Sequence, residues 1–177
     1  MAGQLILVLG GTRSGKSIYA LRRAEAMGDH RLYIATAEAR DDEMMARIEQ
    51  HRKQRGEGWR AAEEPLDVAG VLEVTEEGTV VLLDCLTFWV ANAMAMEVNS
   101  GIDSKAFLQG QIRNVHTATQ DRGFRILIVS NEVGMGIVPD NALARKFRDL
   151  VGDMHQMIAE LADEVYLVVA GLPQKLK

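Results

Sequence analysis

The chain has 177 residues, 47% of them hydrophobic, and its formal net charge is -5. This length and apolar content predict one domain, residues 1–177, with a substantial core. The acidic balance argues against nucleic acid as a partner, and no apolar run is long enough for membrane insertion.

Short apolar runs alternate with longer segments of helical periodicity along the chain. The apolar runs at residues 4–9, 31–35, 79–83, 125–130 and 164–169 predict strands. Helices are expected at residues 16–27, 41–53, 87–96, 104–121 and 141–161, with an acidic first turn or a Pro-Asp-Asn cap at two of their starts. Residues 55–65 and 97–103 are expected to be loops. This alternation predicts an α/β fold, in which helices cover both faces of a mostly parallel sheet.

A glycine-rich turn joins the first predicted strand to the first predicted helix. Its residues match the pattern G-x-x-x-x-G-K-[ST] and are Gly10, Gly11, Thr12, Arg13, Ser14, Gly15, Lys16 and Ser17. Its amides, the positive end of the helix and the Lys16 ammonium are expected to bind the phosphates of ATP or GTP, and Ser17 to ligate Mg²⁺. Arg13 suits either a phosphate contact or a solvated turn residue. The fold is therefore predicted to be of the P-loop NTPase type (RecA-like).

Asp84 directly follows the apolar run at residues 79–83. A buried strand that ends in a carboxylate is typical of the Walker B arrangement, which holds the magnesium ion of P-loop enzymes. Cys85 comes next, and we expect it to be a buried packing residue. Because it is the one cysteine of the chain, no disulfide can form within it, which favours a reducing compartment and predicts a cytoplasmic protein.

Four stretches of the chain resemble the bifunctional adenosylcobinamide kinase and adenosylcobinamide-phosphate guanylyltransferase family of cobalamin biosynthesis. They are the glycine-rich turn; Tyr33-Ile34-Ala35-Thr36 followed by Asp42-Glu43-Met44, Arg47-Ile48 and His51; Trp59-Arg60 with Glu63; and the string from Asn131 to Pro139. The last is the most specific, because its nine residues have no general reason to recur in P-loop proteins. A later segment with Arg148, Asp149 and Gly152 also resembles the family. Ala61 and His155 depart from it, where Thr and Asn are usual.

The resemblance implies two transfers at phosphorus. Members of the family phosphorylate the aminopropanol hydroxyl of adenosylcobinamide with ATP or GTP, and then transfer GMP from GTP onto that phosphate. The second transfer passes through a histidine that carries GMP, and the matching position is His51. The catalytic residues are therefore expected to be His51 and Lys16, with magnesium held through Ser17 and Asp84. Homotrimers are usual in the family, so a homotrimer is expected.

The family's nucleotide site maps onto further residues of this chain. Besides the glycine-rich turn, the matching positions are Thr36, Ala37, Glu38, Arg52, Lys53, Gln54, Glu63 and Asp84. A carboxylate at Glu63 can accept the paired N–H donors of guanine, and given the resemblance this role is favoured over that of a solvated loop charge. Asn131 and Glu132 end a predicted strand and are expected at the active-site edge of the sheet.

Without the resemblance, His51 is better explained as a solvated histidine near the end of an amphipathic helix. His30, His116 and His155 have no such support and are expected at the surface or at an interface. Two alternatives follow from the residues alone. One is a P-loop kinase of another small alcohol without guanylyl transfer, and the other is a regulatory GTP-binding module.

Overall fold

One seven-stranded sheet organises the part of the chain that the structure describes. The structure is a computed structural model and describes residues 2–38, 45, 49, 53 and 55–177. The strands are β1 (Gln4–Gly10), β2 (Arg31–Ala35), β3 (Arg60–Glu63), β4 (Val80–Asp84), β5 (Arg125–Asn131), β6 (Glu164–Val169) and β7 (Leu172–Lys175). Their order is β3-β2-β4-β5-β1-β6-β7, and all neighbours are parallel except β6 and β7.

Five helices connect these strands within the described residues. They are α1 (Lys16–Glu25), α2 (Val68–Glu73), α3 (Leu86–Ser100), α4 (Ser104–Arg122) and α5 (Ala142–Leu161). Side-chain caps mark three starts: Asp67 accepts from the amide of Gly70, Asp103 from that of Ala106, and Asn141 from those of Leu143 and Ala144. No helix in this part of the chain has the length and apolarity needed to cross a bilayer.

Each face of the sheet has its own core. Alternate residues of the central strands point to opposite faces, so Leu5 and Leu7 of β1 belong to one core and Ile6 and Val8 to the other. The larger core packs the sheet against α2, α3, α4 and α5 around the fully buried Trp89, whereas the smaller core packs it against α1. The predicted α/β fold with helices on both faces is thus confirmed.

Two predicted loops contain part of a strand or a helix, and two short elements, α2 and β7, were not predicted. The predicted loop at 55–65 contains β3, a mostly exposed strand that exists because it pairs with β2. The predicted loop at 97–103 begins inside α3, which continues until Gly101 adopts a left-handed cap. No prediction included β7, a fully exposed strand that pairs with β6.

The helix predicted at 41–53 lies mostly outside the described residues. Within it, the structure describes Met45, Glu49 and Lys53, which are all helical.

Candidate active site

The glycine-rich turn lies at the carboxyl end of β1, where the chain leaves the sheet for α1. The turn is close to β6, because a Cβ atom on Gly10 would lie 2.7 Å from the carbonyl oxygen of Val168. Gly15 has φ 92° and begins the helix in a left-handed conformation that side chains disfavour. From the other side, the amide of Gly171 donates to the carbonyl of Ser14 at 2.7 Å. Such a turn directs backbone amides toward an anion at a helix N-terminus.

Lys16 is held inside this turn. It is 8% exposed, and its ammonium donates to the carbonyl oxygen of Gly11 at 3.3 Å. Burial lowers the pKa of Lys16, and the nearby Asp84 carboxylate opposes that shift by favouring the charged ammonium. A bound polyphosphate would act in the same direction as Asp84, so the site is suited to an anion.

A cleft beside the turn brings Ser17 and Asp84 together. It is also lined by Tyr33 and Arg55, and by apolar side chains of α1 and β4. The Tyr33 hydroxyl donates to Oδ2 of Asp84 at 3.0 Å, and the Arg55 guanidinium lies 3.8 Å from the centre of the Tyr33 ring. Burial, followed by the charge of Asp84, raises the pKa of Tyr33, which therefore remains a protonated donor.

A buried polar network fixes the ends of β2 and β4. The Thr36 hydroxyl accepts from the Cys85 amide at 2.9 Å and donates to the Cys85 carbonyl at 2.7 Å. The Asn92 amide group donates to the Thr36 carbonyl at 2.7 Å and to the Pro65 carbonyl at 3.2 Å. Thr36 is 0% exposed, so its side chain holds the backbone next to Asp84.

Cys85 is buried, as expected, and contacts the hydroxyl of Thr87 at 2.9 Å. Burial raises the pKa of Cys85 to about 11. The thiol is therefore protonated at neutral pH, which excludes it as a nucleophile there.

The register of the sheet lines up the expected site residues along one edge. Glu63 pairs with Ala35, Ala35 pairs with Asp84, and Asn131 pairs with Gly10. These residues are the last of their strands, and parallel strands present such ends on one side of the sheet, where open α/β folds bind ligands. The carboxylate of Glu63 is exposed at the far end of this edge.

The structure describes some of the remaining expected site residues but not others. Thr12, Arg13 and Glu38 are exposed, Ala37 is half-buried, and Lys53 forms an ion pair with Glu49 at 3.9 Å. Arg13 has φ 57°, a turn conformation rare outside glycine. The positions His51, Arg52 and Gln54 lie outside the described residues.

Sequence reasoning missed three polar residues near the site. Tyr33 had a signal, because it belongs to the stretch that resembles the family. Arg55 and Asn92 had none, because their roles depend on contacts with residues distant in sequence.

His155 was expected at the surface or at an interface, and the structure shows it half-buried. Its Nε2 lies 2.7 Å from the hydroxyl of the buried Ser130, against the end of β5. The ring therefore packs on the sheet, because the face of α5 that carries it faces the larger core. His30 is exposed and His116 is half-buried.

Comparison with protein families supplies a match over nearly the whole chain. Residues 6–176 match the family described as cobinamide kinase / cobinamide phosphate guanyltransferase. The bifunctional adenosylcobalamin biosynthesis protein CobP of Pseudomonas aeruginosa is 43% identical over 172 residues, covering 97% of this chain and 96% of that protein. The bifunctional adenosylcobalamin biosynthesis protein CobU of Escherichia coli is 41% identical over 185 residues, covering 98% of this chain and 99% of that protein.

Solved structures resemble the fold at low sequence identity. The RadB recombinase superposes with a TM-score of 0.55 at 16% identity, covering 94% of this chain and 74% of the recombinase. An ATPase of a bacterial type III secretion system superposes with a TM-score of 0.64 at 11% identity, covering 98% of this chain and 57% of the ATPase. These likenesses support the predicted P-loop NTPase-type (RecA-like) fold.

Proposed function

The chain belongs to the cobinamide kinase / cobinamide phosphate guanyltransferase family, and from this membership we propose that it catalyses both transfers on adenosylcobinamide. In the first, ATP or GTP phosphorylates the aminopropanol hydroxyl. In the second, GTP supplies GMP to that phosphate and pyrophosphate leaves. The observation that carries the proposal is the convergence of Lys16, Ser17 and Asp84 at one edge of the sheet, in a chain that matches the family throughout.

In the kinase step, the hydroxyl oxygen of the acceptor attacks the γ-phosphorus, the bond to the bridging β–γ oxygen breaks, and the nucleoside diphosphate leaves. Lys16 and the amides of the glycine-rich turn bind the phosphate oxygens and stabilise the charge that develops on them. The hydrogen bond from Lys16 to Gly11 supports this role, since it keeps the ammonium folded over the turn.

Magnesium suits the donor set of the cleft. Ser17 supplies a hydroxyl and Asp84 a carboxylate, and hard oxygen ligands of this kind, completed by phosphate oxygens and water, are what Mg²⁺ prefers. When bound, the ion would neutralise charge on the phosphates. Within the described residues no group of three or more acidic, histidine or cysteine side chains could hold a metal ion.

In the guanylyl transfer, an unprotonated imidazole nitrogen of His51 attacks the α-phosphorus of GTP. The bond to the α–β bridging oxygen breaks and pyrophosphate leaves, which forms a P–N bond to GMP. An oxygen of the cobinamide phosphate then attacks the same phosphorus, the P–N bond breaks, and the imidazole is released. Glu63 would accept the N1–H and N2–H donors of guanine, and Thr36, Ala37, Glu38, Arg52, Lys53 and Gln54 would complete the nucleotide site.

The guanylyl-histidine intermediate can be trapped with GTP labelled at the α-phosphate. We expect label on the wild-type protein that is labile in acid and stable in alkali, because a phosphoramidate has these properties. His51→Ala should carry no label, while the control His30→Ala, which changes an exposed histidine, should label like the wild type.

A product assay with adenosylcobinamide and each nucleotide separates the two activities. The proposal requires both the phosphate and the GDP-linked product from the wild type, and His51→Ala should stop at the phosphate. Formation of the GDP-linked product by His51→Ala at the wild-type rate would contradict the assigned role.

The resemblance also supports a homotrimer. Light scattering should give three times the mass of the chain, and any other mass would contradict the homotrimer. We further propose a cytoplasmic location, because the one cysteine of the chain is buried and forms no disulfide.

A further inference from the structure

A polar groove opens between the loop that follows β5 and one side of α5. Its volume is about 330 Å³, within the range of about 300–1,000 Å³ that is typical of small-molecule sites. Residues separated by three or four positions on α5 lie on one face of the helix, so this helix presents a continuous polar stripe. The lining residues are Gly134, Arg148, Asp149, Gly152, Asp153 and Gln156.

Gly152 keeps the middle of this groove open. It lies inside a helix of 20 residues, where glycine destabilises the helix by about 1 kcal/mol relative to alanine. A Cβ atom placed on it would meet nothing within 4 Å. The groove is therefore open at this point of the helix.

The groove adjoins the phosphate-binding turn. Glu132 connects the two, because its amide donates to the carbonyl of Gly10 at 3.0 Å and its carboxylate accepts from the amide of Gly134 at 2.8 Å. The groove and the phosphate-binding turn are thus joined through a single residue at the carboxyl ends of β1 and β5.

The groups around the groove match a large molecule with amide arms and an apolar body. In the part of the chain that the structure describes, the side chains of Arg148, Asp149 and Gln156 form no hydrogen bond or ion pair, whereas Asp153 is paired with Lys105 at 2.7 Å. Carboxylate and amide oxygens accept from carboxamide N–H groups, and a guanidinium donates to carboxamide oxygens. The loop continues from Gly134 with three exposed apolar side chains, here called the apolar rim: Met135, Ile137 and Val138 are 81%, 97% and 59% exposed.

We infer that this groove is the corrinoid subsite, in which the carboxamide arms of cobinamide bind the polar stripe of α5 and the macrocycle rests on the apolar rim. This inference rests on the proposed function, since cobinamide is the substrate that the family's name supplies. Cobinamide carries several carboxamide arms on an apolar ring. The arms can form hydrogen bonds with the polar stripe of α5, and the ring can pack on the apolar rim. The acceptor hydroxyl then lies at the end of the molecule nearest to the glycine-rich turn.

The test is to fill the groove and to measure corrinoid and nucleotide binding separately. Gly152→Leu places a side chain in the groove, and Gly110→Leu is its matched control, because Gly110 also lies inside a helix with nothing within 4 Å of an added Cβ. Equilibrium dialysis of cobinamide, followed by its visible absorption, should show a dissociation constant raised roughly tenfold or more for Gly152→Leu and unchanged for Gly110→Leu. ATP and GTP should bind all three proteins equally.

A second variant covers the possibility that the larger side chain disturbs folding. Asp149→Ala removes an exposed carboxylate that would accept from a carboxamide arm, and cobinamide should bind it several-fold more weakly. Wild-type affinity for cobinamide in both variants would overturn the inference. The inference would also be overturned if Gly152→Leu changed the oligomeric mass but bound cobinamide normally, because the groove would then hold a second copy of the chain. A wild-type protein that binds nucleotides but neither binds nor phosphorylates cobinamide would contradict the proposed function itself.

Discussion

At the scale of the residue, burial shifts the pKa values of Lys16, Tyr33 and His155 and so decides which protonation state each side chain favours. Lys16 is buried in the glycine-rich turn, where burial lowers the pKa of its ammonium and a bound phosphate would favour the charged form. Tyr33 is kept protonated beside Asp84, so its hydroxyl donates to the carboxylate that we assign to magnesium. His155 is half-buried, and its ring contacts the hydroxyl of the buried Ser130.

The pH dependence of stability should reveal the state of His155. Burial lowers the pKa of His155 below its usual value, although the charge of Glu132 opposes the shift. Because the unfolded chain then binds the proton more readily than the folded one, the stabilisation is present above about pH 6.5 and is lost as the pH falls through the folded pKa. His155→Asn should remove this dependence, which for one proton is at most about 1.4 kcal/mol per pH unit.

Urea unfolding at a series of pH values between 5 and 8 measures this contribution. The curve for the wild type should fall more steeply toward acid pH than the curve for His155→Asn. Parallel curves would show that the ring titrates as it does in the unfolded chain.

At the scale of the element, the site depends on how strand ends are joined. Thr36 connects the end of β2 to the residue after β4 through two hydrogen bonds with Cys85. Asn92 of α3 connects the same strand end to the loop after β3. Three strands and one helix thereby hold Asp84 and Glu63 at a common edge.

Replacing the Thr36 hydroxyl should therefore damage both stability and magnesium-dependent activity. Thr36→Val leaves the buried amide and carbonyl of Cys85 without this partner, and we expect a loss of about 1–3 kcal/mol in the free energy of unfolding. Thr36→Ser keeps the hydroxyl and should lose much less. Urea denaturation gives the stabilities, and the concentration of Mg²⁺ needed for half-maximal kinase activity should rise only for Thr36→Val. Equal behaviour of the two variants would mean that the hydroxyl network does not position Asp84.

At the scale of the whole molecule, the strand order brings the two ends of the chain together. β1 lies between β5 and β6, so the turn between β6 and β7 packs beside the glycine-rich turn. In that hairpin Ala170 and Gly171 both have positive φ, at 51° and 80°, and the Gly171 amide donates to the Ser14 carbonyl. The carboxyl-terminal hairpin thus supports a phosphate site made by the first residues of the chain.

The contact between the hairpin and the phosphate turn can be tested by comparing two glycines that both have a left-handed backbone conformation. Gly171 and Gly78 have φ of 80° and 72°, and a Cβ on either would meet nothing within 4 Å. Alanine at each position should cost about 1–2 kcal/mol of stability through the left-handed backbone alone. Of the two variants, only Gly171→Ala should also weaken nucleotide binding, because Gly171, unlike Gly78, contacts the phosphate turn. We expect the dissociation constant from a fluorescence titration to rise several-fold. Equal nucleotide affinity of the two variants would argue against the coupling.

The interior strands and the glycine-rich turn could be predicted from the sequence because their signals are local. β1, β2, β4, β5 and β6 are apolar runs, and the pattern from Gly10 to Ser17 lies between a strand and a helix. The edge strands β3 and β7 have no such signal. They are mostly exposed and become strands by pairing with a neighbour that is already in place.

The same division separates what the sequence by itself determined from what only the tertiary structure decided. The sequence determined the class of fold, the phosphate turn and the family, because periodicity and contiguous motifs are properties of neighbouring residues. The tertiary structure decided that Tyr33 and Arg55 contact each other beside Asp84, that Asn92 and His155 are held by buried partners, and that α5 opens a groove at Gly152. These features join residues that are far apart in the chain, and only the packing of helices onto the sheet brings them within contact distance.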